Sequence, residues 1–185
     1  MIVDLSLQDM SVIVVGTGIE LLRKIHGLLG QRCNIIVITN RLNRHLSYLS
    51  KQGKIKIVKT RLNNNIITIL DCYKNPYMIL AATNDKALNR HIADKGRQIG
   101  SFVYAADDPE YSDFSYMATI NIEDMMQIGI STSGRSPIMA RIIRLRAEKI
   151  LSRTLKQDSQ NIIRATVQEI PKKHYKIQAD KIFEN

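Results

Sequence analysis

Ser11-Val12-Ile13-Val14-Val15-Gly16-Thr17-Gly18 decides the fold of this 185-residue chain. A short β-branched apolar run ends in glycine. Ile19–Leu29 follows at once, with apolar residues at helical spacing. The pattern reads as a buried strand, a tight turn and a helix. Glycines in such a turn let the backbone approach a pyrophosphate, and the free N–H groups at the helix start favour its charge. The third glycine of the dinucleotide pattern is missing, with Leu21 in its place, and Glu20 is an unexpected neighbour for a phosphate. A purely structural strand-to-helix turn is the competing reading.

Working outward, the alternation continues. Asn34–Thr39, Lys54–Thr60, Tyr77–Ala82 and Ser101–Ala105 read as strands, and Asn43–Lys51, Ile66–Cys72 and Asp85–Gln98 as helices. Lys54–Thr60 alternates lysine with apolar residues, which suits a strand with one wet face near a sheet edge. Strands alternating with helices predict a Rossmann-like parallel α/β sheet with helices on both faces. Beyond Asp113 the pattern changes. Tyr116–Ile122 and Gln127–Thr132 are extended runs whose separation, Glu123–Met126, is too short for a crossover helix, so an antiparallel hairpin is expected. A long helix starts at Pro137, with Ser136 as its N-cap. The expected organisation is a dinucleotide-binding domain over 1–113, a small α+β region over 114–151, and a basic, short helical segment over 152–185.

Hydrophobic residues make up 44% of the chain and aromatic residues 5%, so Leu, Ile and Val form the core. No apolar run reaches membrane-spanning length, and Asp4 and Asp9 interrupt any signal-peptide pattern. Cys33 and Cys72 lack metal or redox spacing; both are expected in or near a core, in a reducing cytoplasm. His26, His45, His91 and His174 show no ligand spacing, so no metal site is expected. The net charge is +10, and Ile138–Asn185 carries 11 Lys+Arg against 5 Asp+Glu. This surplus suits an anionic partner, but no aromatic stripe interleaves with it, which weakens a single-stranded nucleic-acid reading. Neither nucleic acid nor membrane is an expected partner.

Several residues carry candidate chemistry. Gly16, Thr17, Gly18 and Ile19 form the phosphate turn. After the second strand, Thr39-Asn40-Arg41 stands where a ribose-binding acid is expected. Asn40 suits a ribose hydroxyl, while Arg41 or Arg44 suits a 2′-phosphate, which leaves both NAD and NADP open. Ala82, Thr83 and Asn84 end the fourth strand with small residues that let a cofactor lie close, although Thr83 also reads as an N-cap. Asp107, Asp108, Glu110 and Asp113 form an acidic knot in a basic chain. It reads either as turn chemistry or as a general base at the mouth of the sheet. Ser131-Thr132-Ser133-Gly134-Arg135-Ser136-Pro137 is rich in hydroxyls, carries an arginine and opens a helix, so it reads as an anion site or as an elaborate cap.

Taken together, Gly16-Thr17-Gly18 with Arg23-Lys24, Leu80-Ala81-Ala82-Thr83-Asn84-Asp85 with Leu88-Asn89-Arg90, Ala106-Asp107-Asp108-Pro109, and Ile130–Pro137 with Ala140-Arg141 resemble the precorrin-2 dehydrogenase family, the N-terminal module of siroheme synthases. The likeness runs from about Met1 to Leu151. It implies NAD-dependent oxidation of precorrin-2 to sirohydrochlorin, with ferrous iron insertion in some members. It also implies a homodimer joined through the 114–151 region. On the resemblance, the essential aspartate falls on Asp107 and the serine of the anion loop on Thr132. Thr132, Ser133, Gly134, Arg135, Ser136 and Arg141 become candidates for holding a polycarboxylate tetrapyrrole. The chain departs from the family where Thr17 replaces a glycine, where Glu20-Leu21 replaces Val-Ala, where Tyr104-Ala105-Ala106 lacks an asparagine, and where Ser133 replaces a glycine. A non-catalytic dinucleotide sensor is the alternative reading, and a nucleic-acid-binding protein using the basic tail is a third.

Overall fold

A computed structural model describes residues 3–122 and 126–151. The chain forms two compact units, which meet in sequence at Tyr116/Met117. In the first unit, strands β1 (Ser11–Gly16), β2 (Asn34–Thr39), β3 (Lys56–Lys59), β4 (Met78–Ala82) and β5 (Phe102–Ala105) alternate with helices α1 (Gly18–Leu28), α2 (Arg44–Lys51), α3 (Asn65–Asp71) and α4 (Lys86–Gln98). All strand pairs are parallel, in the order β3-β2-β1-β4-β5. The order reverses between β1 and β4, and the carboxyl ends of those two strands flank the crevice where open α/β sheets bind ligands.

The two-residue period of β1 explains why both faces are covered. Val12 and Val14 pack with Leu21, Ile25 and Leu28 of α1 and Leu46 and Leu49 of α2. Ile13 and Val15 point the other way, into Ile66 and Leu70 of α3 and Leu88, Ile92 and Ala93 of α4. A strand apolar on every residue therefore requires helices on both sides. β3 is an edge strand, with Lys56 and Lys59 exposed and Ile57 and Val58 half-buried, as its alternation predicts. It is shorter than the Lys54–Thr60 run: the ladder begins at Lys56, after the buried Ile55.

The second unit holds an antiparallel hairpin, β6 (Ala118–Ile122) and β7 (Met126–Ile130), with Ala118 opposite Ile130 and Ile122 opposite Met126. Helix α5 follows over residues 137–151. Ser136 caps it by accepting from the Met139 N–H at 3.2 Å, and Pro137 occupies the first helical position. The expected basic segment over 152–185 lies outside the described residues. One expectation changes: Cys72 is exposed at the end of α3 rather than in a core, while Cys33 is half-buried. Among the described residues no helix is long and apolar enough to cross a membrane.

Candidate functional site

At the carboxyl edge of the first unit's sheet, two glycines are required for different reasons. A Cβ on Gly16 would lie 2.1 Å from the backbone oxygen of Ala82, because β1 and β4 pair in register at those residues. Gly18 has φ +73°, which a side chain strongly disfavours, and a Cβ there would meet open space. The Thr17 side chain does not cap α1. The helix start is therefore bare backbone facing an open crevice, a fit for a dinucleotide pyrophosphate. Leu21, in place of the third glycine, belongs to the buried stripe of α1.

Glu20 does not spoil this turn. Its carboxylate is drawn along the helix to Lys24 Nζ (3.3 Å) and Arg23 (3.4 Å). Lys24 is itself buried, with its ammonium 4.0 Å from the Tyr104 ring centre and 3.8 Å from that of Tyr116. Burial pushes the Tyr116 phenol well above its ordinary value, and nearby Tyr104 and Glu20 add to the rise.

Gly16, Thr17, Gly18 and Ile19 lie at the end of β1, Thr39 and Asn40 at the end of β2, and Ala82, Thr83 and Asn84 at the end of β4. All share one edge of the sheet. Thr39 is fully buried, and its hydroxyl is engaged with the backbone of Arg41 (3.2 Å to the carbonyl, 3.3 Å from the N–H). The cap of α4 is Asp85, which accepts from the Leu88 N–H at 3.1 Å, so Thr83 is not the cap. The Thr83 hydroxyl instead donates to Asn89 Oδ1 at 2.6 Å.

Asn89 organises the edge. It is 0% exposed in the middle of α4. Its Oδ1 accepts from the Thr83 N–H at 3.0 Å, and its Nδ2 donates to the Thr83 carbonyl (3.1 Å) and to Asp107 Oδ1 (2.9 Å). The end of β4, the buried face of α4 and the residue two past β5 are thereby tied to one side chain. The available signal is an amide on the apolar stripe of α4, between Leu88 and Ile92, since buried polar groups must be paired. Replacing Asn89 with alanine leaves the buried Thr83 N–H without its acceptor. We expect a loss of roughly 1–3 kcal/mol, read by urea denaturation, together with a freed Asp107.

The acidic knot separates into different roles. Asp108 is 5% exposed and is bound by Arg90 at 2.6 and 2.8 Å and by Lys86 at 3.5 Å. Asp113 accepts from the Val103 N–H at 2.9 Å and from Arg97 at 3.0 Å. With Ser112, which accepts from the Ala105 N–H, it covers the free edge of β5. Glu110 is exposed in the short 3-10 turn Pro109–Tyr111. Asp107 is exposed, accepts from Asn89 Nδ2 and makes no ion pair among the described residues. Within the knot, Asp108 and Asp113 are engaged in structural contacts, Glu110 is exposed, and Asp107 is the exposed carboxylate held by the buried Asn89 amide.

The Arg90 hydrogen bond holds the Asp108 carboxyl below its usual range. The charges of Arg90 and Lys86 reinforce the shift, and burial opposes it. A lowered carboxyl pKa contributes stability that is complete above its ordinary value of 3.8 and lost as pH falls through the lowered one. The urea midpoint of the wild type should therefore fall more steeply than that of Asp108→Asn below about pH 4. Parallel curves would remove Asp108 from acid stability.

Thr132, Ser133, Gly134, Arg135, Ser136 and Arg141 lie in the second unit. Ser131 Oγ accepts from the Ser133 N–H at 3.1 Å, and Thr132 Oγ1 from the Ser136 N–H at 3.2 Å. Ser133 and Gly134 have φ of +51° and +77°. Arg135 and Arg141 are exposed. The loop is a hydroxyl-braced turn whose hydroxyl protons and Arg135 guanidinium remain available to an anion. Among the described residues no group of His, Cys, Asp and Glu could hold a metal ion.

Comparison with known proteins agrees with this frame. Residues 3–118 match the family model described as putative NAD(P)-binding. A siroheme synthase of Neisseria meningitidis serogroup C is 33% identical over 144 residues, which cover 78% of this chain and 28% of that protein. A siroheme synthase of Gluconacetobacter diazotrophicus is 32% identical over 147 residues, covering 80% and 31%. The chain thus spans less than a third of the length of these relatives. The solved structure named SirC, precorrin-2 dehydrogenase, superimposes with TM-score 0.74 at 22% identity, covering 94% of this chain and 84% of that one, and shares the fold. The chain belongs to the putative NAD(P)-binding family, whose model spans the sheet, the glycine turn and Asp107.

Proposed function

We propose that this protein oxidises precorrin-2 to sirohydrochlorin with a nicotinamide dinucleotide. The carrying observation is Asp107, an exposed carboxylate held by buried Asn89 at the same carboxyl edge of the sheet that carries the bare glycine turn. The similarity to siroheme synthases along 78% of the chain supports the substrate. In this oxidation precorrin-2 loses one hydride and one proton. When bound, the dinucleotide supplies the hydride acceptor. The Gly16–Ile19 backbone holds its pyrophosphate, Asn40 its ribose, and the small end of β4 at Ala82, Thr83 and Asn84 admits the nicotinamide half. Asp107 takes the proton at its carboxylate, with Asn89 fixing the orientation.

The acetate and propionate carboxylates of precorrin-2 are held by the Thr132–Ser136 loop, Arg135 and Arg141. A homodimer completes the protein: the exposed Ile138 (75%), Ile142 and Leu145 on α5 form the stripe that a second copy covers. Ferrous iron is a substrate if chelation follows, with Asp107 again receiving the displaced pyrrole protons. The two free thiols support a reducing cytoplasm. The test is anaerobic turnover with enzymatically generated precorrin-2, following sirohydrochlorin and reduced dinucleotide together. Equal appearance of both supports the reading. Dinucleotide binding without turnover favours a sensor.

A further inference from the structure

The ribose end of the crevice carries a charge pattern that the phosphate turn does not explain. From Leu21 to Leu70 the chain contains ten Lys or Arg residues and no Asp or Glu. The fold concentrates four of these cations at one corner. β2 ends at Thr39 and β3 at Lys59, which are paired in register, and the Thr60 N–H donates to the Thr39 carbonyl at 2.9 Å. Arg41 and Arg61 therefore each stand two residues beyond neighbouring strand ends. Arg44 opens α2, whose cap is the Asn43 side chain, accepting from the Leu46 N–H at 2.8 Å. Arg41, Arg44, Lys59 and Arg61 are all exposed, and none is in an ion pair among the described residues.

In a sheet of this order, the end of the second strand meets the adenosine ribose. An acid there binds the free 2′-hydroxyl and repels a 2′-phosphate, whereas arginines do the reverse. Here the acid is absent and the cations lack carboxylate partners. The Thr39 hydroxyl is also taken by its own turn, which leaves fewer neutral donors for a bare ribose. We infer that the dinucleotide this protein selects is the 2′-phosphorylated one, and that Arg41 and Arg61 are its specificity-determining residues. The inference rests on the dinucleotide-binding reading and narrows it.

The test is isothermal titration of the full chain with NADP⁺, NAD⁺, and the fragments 2′,5′-ADP and 5′-AMP, which report the adenosine end without any turnover. NADP⁺ should bind at least about 10-fold tighter than NAD⁺, and 2′,5′-ADP tighter than 5′-AMP. R41A with R61A should abolish that preference while leaving NAD⁺ binding within about twofold. K51A, on α2 away from the strand ends, should leave the preference intact. NAD⁺ binding as tightly as NADP⁺ would overturn the inference and leave the dinucleotide reading standing. An equal loss in K51A would overturn it too, because the patch would then act as diffuse charge. Binding of neither dinucleotide would sink the underlying reading with it.

Discussion

On the proposed function, Asp107→Asn should lower precorrin-2 oxidation by about 10²–10⁴-fold, the range general-base assistance supplies. Asparagine keeps the shape and one carbonyl acceptor, so Asn89 Nδ2 retains its partner and the sheet edge stays in place. Dinucleotide affinity, read by titration, should change by less than about twofold, because the carboxylate takes no part in the phosphate turn. Asp108→Asn is the informative comparison. The neighbouring carboxylate is neutralised by Arg90 and Lys86, so its loss should affect acid stability far more than turnover. Turnover unchanged in Asp107→Asn would remove this residue from the mechanism. Loss in both variants to the same degree would mean the knot acts only by shaping the loop.

Gly16→Ala is the second large effect. The added methyl carbon would sit 2.1 Å from the Ala82 oxygen, and both atoms belong to rigid, paired strands. Neither can give without breaking the β1–β4 ladder at the centre of the sheet. We expect a cost of roughly 3 kcal/mol or more, at the upper end of overpacking effects. The measurement is a urea or thermal melt. Gly18→Ala contrasts with it: its methyl meets open space, so the penalty is the left-handed backbone, roughly 1–2 kcal/mol. Equal penalties at the two positions would mean that conformation rather than close approach dominates at Gly16.

Much of the first unit was legible because its signals are local. Ser11–Gly16 and Asn34–Thr39 are strands over their whole predicted length, since uninterrupted β-branched runs bounded by turn residues leave few alternatives. The change from alternation to a hairpin beyond Asp113 was legible from spacing too short for a crossover. Alternation also placed β3 at an edge. The exposure of Cys72 is not legible in the sequence, because a short apolar run does not say which face of a two-turn helix meets solvent.

The candidate site was legible as a set of segments but not as a division of labour. Asp107 and Asp108 are adjacent and chemically identical. Strand-end geometry turns one toward Arg90 and Lys86 and leaves the other on the amide of Asn89, eighteen residues away in sequence. In sequence Glu20 is a poor neighbour for phosphate; in the fold its carboxylate pairs with Lys24, and that lysine is held by aromatic residues from β5 and beyond. The chain's local patterns carried the strands, the helices and the place of the crevice, because periodicity and turn chemistry act over a few residues. Only the tertiary structure decided which carboxylate is free and which cations share the β2–β3 corner, because charge pairing depends on distances that the fold creates between remote residues.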